Sequence, residues 1–269
     1  MRRLTIAFVL GALAAAPAAV RATTQDKTAP DFTWDGAMTP GRVLVVRNVN
    51  GAIRVTRADG TRASVTAVKR WRRGNPADVR IEQVKTGASG DVVICAFWTD
   101  NASCDERSYH SHSDGGWTSN RRNDVSVEFT IHLPAGVRIV VATVNGEVSV
   151  EGATDEVDAS SVNGSVWATS TGGPVRAHTV NGDVRARMGT RGTTDLQFST
   201  VNGTVIVQVP EGADAELAMS TVNGSVQSDF PVTIQGRLNP RKLRATLGKG
   251  GPRLDMKTVN GDVRLRKLQ

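Results

Sequence analysis

The chain has 269 residues, a formal net charge of +7 at pH 7, 27 glycines and only 4% aromatic residues. This composition predicts a thin, aliphatic core, and a chain of this length can form one domain when it is all-β. No segment beyond the N-terminus is apolar enough to cross a bilayer, which excludes a helical protein with several membrane spans.

The N-terminus has the three parts of a secretory signal peptide. Residues 1–22 begin with Arg2 and Arg3, continue with an apolar stretch, and end in the cleavage-type sequence Val20-Arg21-Ala22. A membrane anchor is the alternative, but Pro17 interrupts the apolar stretch, which is short for a span. We therefore expect removal of residues 1–22 and a periplasmic or cell-surface location. Export argues against a nucleic-acid partner, which the basic charge alone would allow.

The rest of the chain is organised around one sequence motif, Val-Asn-Gly, which is present in seven copies. From the second copy onward, successive asparagines are 18, 18, 21, 21 and 37 residues apart. A period of this size is typical of a repeat architecture. We expect the Asn-Gly pairs to form the corners of the repeats, at Asn50-Gly51, Asn145-Gly146, Asn163-Gly164, Asn181-Gly182, Asn202-Gly203, Asn223-Gly224 and Asn260-Gly261.

Apolar residues alternate with polar ones on both sides of each Asn-Gly pair. The positions six and four before the asparagine, and three and five after it, are mostly aliphatic, as in Val175, Ala177, Val184 and Ala186 of the fourth copy. Because side chains alternate between the two faces of a strand, this pattern predicts two short strands per repeat, each with one buried face.

Two all-β architectures fit these strands. The favoured one is a β-solenoid, or β-helix-like fold, in which each repeat stacks on the same position of the next and the valine before each asparagine tucks in at the corner. The alternative is an antiparallel meander of hairpins, because Asn-Gly suits a type I′ turn. Only stacking explains why every unit repeats the same motif, since each unit then packs against an equivalent neighbour.

The remaining segments complete one predicted domain. Residues 23–40 are polar and predict a linker, and residues 41–269 predict a single all-β repeat domain. Residues 95–122 break the repeat pattern and predict a loop insertion with both cysteines. In an exported protein Cys95 and Cys104 predict a disulfide, with two free thiols as the alternative.

Few residues suggest chemistry. His110 and His112, with Asp114, could share one face of an extended strand and bind a metal, but an exposed polar loop is the favoured explanation. Asp158, Asp183 and Asp262 could line a glycosidase-like face, or they could be solubilising charges on strands. No nucleophile with a supporting His and acid is evident, so we predict no catalytic residues, no metal site and no cofactor.

The C-terminal end is strongly basic. Residues 237–269 contain ten basic and two acidic residues, whereas residues 136–236 contain five basic and eleven acidic ones. If the last repeat is an end of the solenoid, these charges would protect an exposed strand edge from pairing. Alternatively, Arg264, Arg266 and Lys267 are candidate contacts to an anionic envelope surface.

At the repeats the chain resembles the bacterial DUF4097 family of adhesin-like proteins. The resemblance covers about residues 41–269 and is most specific in four stretches, Thr143–Val150, Thr179–Ala186, Thr200–Val207 and Thr258–Arg264. It implies a β-solenoid-like fold and an extracytoplasmic location, and it implies no catalytic residues.

Together these patterns predict an exported, non-catalytic binding or structural module of the bacterial envelope. The partner could be anionic lipid, polysaccharide or protein, and the oligomeric state stays open. One alternative is a polysaccharide-active enzyme on a β-helix. The other is an envelope-stress regulatory component with a membrane partner.

Overall fold

The computed structural model describes residues 30–84, 90–111, 123–234 and 239–268. The predicted signal peptide, His112 and Asp114 lie outside these ranges. Within them no helix is long and apolar enough to span a bilayer. The one short helix is a 3-10 turn at Pro76–Asp78.

The described residues form 23 strands, numbered in chain order. They are β1 (Phe32–Ala37), β2 (Val43–Arg47), β3 (Ile53–Arg57), β4 (Arg62–Arg70), β5 (Arg80–Val84), β6 (Val92–Phe97), β7 (Ala102–Cys104), β8 (Tyr109–Ser111), β9 (Ser126–Leu133), β10 (Arg138–Ala142), β11 (Val148–Ala153), β12 (Val157–Ser160), β13 (Val166–Ser170), β14 (Val175–His178), β15 (Val184–Met188), β16 (Leu196–Ser199), β17 (Val205–Val209), β18 (Ala215–Ser220), β19 (Val226–Ser228), β20 (Thr233–Ile234), β21 (Lys242–Leu247), β22 (Arg253–Lys257) and β23 (Val263–Lys267).

Two sheets contain nearly all of these strands. Sheet A has the order β1-β4-β9-β3-β11-β13-β15-β17-β23-β19. Sheet B has the order β20-β21-β18-β22-β16-β14-β12-β10-β2-β6-β5. Each repeat gives one strand to sheet B before its Asn-Gly pair and one to sheet A after it. We call such a two-strand unit a coil.

Neighbouring coils pair in parallel and in register. Val148 lies beside Val166, which lies beside Val184, and Val205 follows on the next strand. The asparagines of successive coils also form parallel bridges. The β-solenoid prediction is therefore confirmed, and the antiparallel meander is wrong for the repeats. Antiparallel pairs occur towards the ends of the stack, where β4 pairs with β1 and β9, β5 with β6, and β21 with β18 and β20.

The core lies between the two sheets and consists of the predicted inward rows. Val175, Ala177, Val184 and Ala186 are all buried, as are the equivalent residues of the other coils with few exceptions. Val226 is one exception and is only partly buried, because its strand β19 is the edge of sheet A.

The corners are held by hydrogen bonds from coil to coil. Asn181 Nδ2 donates to Asn163 Oδ1 at 2.8 Å, and the same bond recurs between other stacked asparagines. In six of the seven coils the residue two before the asparagine is a buried Thr or Ser that donates to a glycine carbonyl of the adjacent coil, as Thr179 does to Gly164 at 2.8 Å. In the first coil Asn48 has this position and donates to Gly51 and Val127. These bonds explain why the repeated motif includes an asparagine and, two residues before it, a threonine or serine.

The valine before each asparagine does not tuck in, so that expectation is wrong. Val144, Val162, Val180, Val201 and Val259 are 37–39% exposed. Strand alternation continues into the corner: because the preceding Thr or Ser turns inward to reach its glycine carbonyl, the valine must point outward.

The last coil is not the end of the stack. Strand β23 lies between β17 and β19, and β22 lies between β16 and β18. The coil of Asn260 is therefore inserted between the coils of Asn202 and Asn223. Protection of an exposed edge cannot be the role of the basic residues on β23, because both edges of this strand are already paired.

The hairpin formed by β7 and β8 covers part of the outer face of sheet B. Cys95 and Cys104 form a disulfide, as predicted. Residues 95–97 are not loop but the end of β6, and β7 and β8 form a separate hairpin. A second apolar cluster forms beneath the hairpin from Val45, Val93, Cys95, Phe97 and Cys104.

Candidate functional site

Two shallow grooves cross several coils of the stack. The face groove lies on the outer surface of sheet A and encloses about 440 Å³. The corner groove follows the exposed valines and encloses about 650 Å³. Both run perpendicular to the strands, so each is lined by equivalent positions of successive repeats.

The face groove lies between two rows of outward side chains. One row is Trp167, Arg185 and Ile206, which are register partners on β13, β15 and β17. The other row is Glu151, Thr169, Arg187 and Gln208. The floor is the backbone of the intervening positions, such as Ala168 and Ala186, whose side chains point into the core. Four neighbouring strands at about 4.8 Å spacing give the groove a length of roughly 14 Å.

An aromatic ring and guanidinium groups dominate this groove. Trp167 is 41% exposed, and Arg185 stacks against it with its Cζ 5.2 Å from the ring centroid. Arg185 also lies 3.5 Å from the Asp183 carboxylate. Glu151 lies at one end of the groove and accepts a hydrogen bond from the Ser149 hydroxyl at 3.4 Å. The groove can therefore present an apolar ring face beside cationic hydrogen-bond donors.

Two of the three predicted anionic-surface contacts continue the rows of the face groove. Arg264 is the register partner of Ile206, and Arg266 that of Gln208. Arg264 Nη2 donates to Asp262 at 2.8 Å, and Arg266 Nη1 to Asp229 at 2.5 Å.

Lys267, the third predicted contact, does not join these rows. It is the register partner of buried Val209, and its Nζ donates to Glu211 Oε1 at 2.6 Å. The hydrogen bond and charge of Lys267 lower the pKa of the Glu211 carboxyl.

The corner groove is apolar on one side and polar on the other. Val162, Val180, Val201 and Val259 form its exposed apolar side. The ends of the sheet B strands supply small hydroxyl residues together with His178 and Lys257.

The three aspartates proposed for a glycosidase-like face do not share one surface. Asp158 is on the outer face of sheet B, where burial raises its pKa despite the nearby charges of His178 and Arg176. Asp183 and Asp262 lie at the start of strands in sheet A.

Asp183 and Asp262 link neighbouring coils. Asp183 accepts the backbone N–H of Thr204 at 2.9 Å. Asp262 accepts both the backbone N–H and the hydroxyl of Ser225 at 3.0 Å. The hydrogen bond from Arg264, followed by those from Ser225, lowers the pKa of the Asp262 carboxyl. The three aspartates therefore do not form the glycosidase-like face that the sequence left as one of two interpretations.

The hairpin β7–β8 is attached to sheet B by three kinds of contact. One is the disulfide, and another is Arg47, which donates to the carbonyls of Asp105 at 3.1 Å and Glu106 at 2.7 Å. The third is the ring of Tyr109 on β8, which stacks on that of Phe97 on β6 with the centroids 6.0 Å apart. His110 is exposed on β8, whereas His112 and Asp114 are not described, so the metal hypothesis stays untested. Over the described ranges, no three or more His, Cys, Asp or Glu side chains group closely enough to hold a metal ion.

Sequence reasoning did not identify Trp167, Arg185 and Arg187 as neighbours on one surface. The 18-residue period contained the necessary information, because Arg185 follows Trp167 by one period and Arg187 follows Thr169 by one period. In a parallel stack, residues one period apart become neighbours on the same face.

The chain was compared with curated proteins, solved structures and protein families. No curated protein matches the chain. Two solved structures are similar to it: one is described as a "putative cell adhesion protein" from Clostridium sporogenes, with 11% identity over 89% of this chain and 100% of that chain and a TM-score of 0.46. The other is a "putative adhesin" from Bacteroides fragilis, with 12% identity over 88% of this chain and 96% of that chain and a TM-score of 0.37.

A family model matches most of the chain, from strand β2 to strand β23. The model of the Toastrack DUF4097 family matches residues 44–266, and the chain therefore belongs to this family.

Proposed function

We propose that the protein is an exported, non-catalytic, adhesin-like module of the bacterial envelope that holds an extended polymer across its coils. The observation that carries this proposal is the direction of the two grooves. Each crosses at least four strands, so equivalent positions of several repeats face the ligand at once. A polymer offers equivalent groups at intervals along its length, whereas a small substrate would contact only one or two coils.

The frame behind these grooves is rigid, which favours a binding role. Parallel pairing, the asparagine bonds and the threonine-to-glycine bonds hold each coil to its neighbours. A ligand that binds to side chains already held in place costs little ordering entropy. Such a surface suits attachment better than a reaction that requires a closing lid.

The placement of the acidic residues also supports a non-catalytic role. Glycoside hydrolysis needs two carboxyl groups that flank one bond. Asp183 and Asp262 each use a carboxylate oxygen to bind a backbone N–H of the adjacent coil, and Asp158 is on the other sheet. We propose that these carboxylates stabilise the stack.

An extracytoplasmic location fits the Cys95–Cys104 disulfide, because disulfides persist mainly in oxidising compartments. We propose that the segment 1–22 directs export to this compartment, and that the protein stays in the periplasm or reaches the cell surface. Fractionation of cells that produce a tagged copy distinguishes these two locations.

Cosedimentation with purified envelope material tests the function. The purified protein should sediment with cell walls and membranes in a saturable manner, and it should release no soluble sugar from them during long incubation. Absence of binding to any envelope fraction would overturn the proposal. Release of soluble fragments would instead support the polysaccharide-active enzyme.

A further inference from the structure

We infer that the face groove is a binding site for an acidic polysaccharide, in which Trp167 stacks on a sugar ring while Arg185 and Arg187 bind the carboxylates of the chain. This inference rests on the proposed function, because it assigns a site and a ligand class to the polymer-binding role. It concerns residues on β13 and β15, in the middle of the stack.

The first argument is the exposure of Trp167. An indole ring that is 41% exposed on a rigid sheet leaves apolar surface in water, and covering it with a ligand is favourable. The C–H groups on one face of a pyranose ring form an apolar surface of similar size. The buried sheet positions on either side of Trp167 hold its backbone, so the ring is presented without a large loss of entropy on binding.

The second argument is the chemistry of the arginines. A guanidinium group matches a carboxylate with two parallel hydrogen bonds, and this pairing is stronger than a neutral hydrogen bond. Arg185 and Arg187 are both exposed, and they lie on opposite walls of the groove. The contact of Arg185 with Asp183 at 3.5 Å is an exposed ion pair of low energy, so a ligand carboxylate can replace it.

The third argument is the distribution of charge along the groove. Glu151 is at the end nearest the coil of Asn145 and would repel an anionic group there. In the opposite direction the rows continue to Arg264 and Arg266. The polysaccharide should therefore extend from Trp167 over Arg185 and Arg187 towards these two arginines.

The shape of the site favours a polysaccharide over a lipid surface. A bilayer is a broad surface, and a protein that binds it by an aromatic residue needs that residue to project beyond its neighbours. Trp167 instead forms part of a groove wall together with Arg185 and Ile206. A concave groove roughly 14 Å long accommodates a few sugar units of a linear chain.

Calorimetric titration with an oligogalacturonate, a linear chain of uronic acid units, tests the inference. Wild type should bind at low salt and more weakly at high salt, because salt screens exposed charges. Trp167→Ala, and separately the pair Arg185→Gln with Arg187→Gln, should each weaken binding about tenfold. The arginine pair should also reduce the salt dependence, which the tryptophan change should leave intact.

The matched control removes the same charge from the opposite sheet. Lys242 and Arg244 are exposed on β21 in sheet B, and Lys242→Gln with Arg244→Gln should change affinity less than about twofold. Equal losses in the control and the groove variants would overturn the inference, since net charge alone would then explain binding. Circular dichroism establishes that each variant is folded.

Two further outcomes would overturn the inference in different ways. Binding to phosphatidylglycerol vesicles without binding to the oligogalacturonate would assign the arginines to a lipid surface. Sedimentation with envelope material, unaffected by the groove variants, would leave the proposed function standing and place its ligand elsewhere. Failure to bind any envelope fraction would contradict the proposed function itself.

Discussion

At six of the seven corners, the Thr or Ser, the asparagine and the glycine of the repeated motif satisfy one another's polar groups across the coils. Thr179 donates to the Gly164 carbonyl, while Asn181 donates to the Asn163 side chain, both at 2.8 Å. One such bond contributes only about 1 kcal/mol to the free energy of unfolding. Repetition along the stack makes the total substantial. Replacement of one of these asparagines or threonines by an apolar residue leaves a partner in the adjacent coil unpaired, whereas serine can take the place of threonine, as Ser161 does.

Glycine is required at the corner because the coils approach closely there. A Cβ at Gly203 would lie nearer than 3.0 Å to the carbonyl oxygen of Gly182, and Gly203 has a φ of +155°. Gly203→Ala should therefore lower the free energy of unfolding by about 1–3 kcal/mol. Gly212 has open space around it, and Gly212→Ala should cause no loss or a gain of up to about 1 kcal/mol. Urea denaturation that gives equal values for the two variants would contradict this explanation.

Asp158 should make stability depend on pH in a specific direction. Burial raises its pKa, so the folded state binds the proton more readily than the unfolded state does. Ionised Asp158 therefore reduces stability at neutral pH, and this penalty disappears as pH falls through the folded-state pKa towards the unfolded value. Asp158→Asn should be more stable than wild type at pH 7, with a difference that shrinks towards pH 4. Thermal melts across this range would disprove the assignment if the difference were constant.

At the scale of elements, the hairpin β7–β8 is an attachment to the stack and not a part of it. It pairs with neither sheet, and the Cys95–Cys104 disulfide and Arg47 connect it to sheet B. Apolar contact adds to these two links, because Tyr109 of the hairpin stacks on Phe97 of sheet B. The hairpin is therefore held by side chains, whereas the coils are held to one another by backbone pairing.

Removal of the disulfide should loosen the hairpin alone. The two cysteines are nine residues apart, so closing this loop contributes about 2–3 kcal/mol by restricting the unfolded chain. In Cys104→Ser, amide hydrogen exchange should become faster in Ala102–Ser111, while β13, β15 and β17 keep their protection. Faster exchange throughout the coils would show that the disulfide stabilises the whole stack.

At the scale of the whole molecule, the repetition of the motif predicted parallel coils, and the local alternation of apolar and polar residues predicted their inward rows. The same alternation also predicts that the corner valines are exposed. If inward and outward positions continue to alternate past Thr143 or Thr179, the next residue, Val144 or Val180, faces outward. The order of the coils could not be predicted, because Thr221–Val226 and Thr258–Val263 have nearly the same sequence. Either could stack on the coil of Asn202, and only long-range packing decides between them.

The face groove shows a similar limit. Its residues are ordinary strand residues in the sequence, and they become a site only through the register of separate repeats. Trp167 and Arg185 are neighbours because β13 and β15 pair without a shift. A single sequence predicts which side of a strand a residue is on, but the residues across from it depend on the order and register of the coils.

The inserted position of the last coil predicts that equivalent repeat positions are not equally important. Val263 and Val226 occupy the same position relative to their asparagines, but Val263 is fully buried between β17 and β19 whereas Val226 is partly exposed on the edge strand. Val263→Ala should lower the free energy of unfolding by about 2 kcal/mol, through lost burial and a cavity, and Val226→Ala by about 1 kcal/mol or less. Urea denaturation measures both. If the last coil were instead at an end of the stack, the Val226 variant would be the more damaging of the two, because β19 would then be covered on both sides.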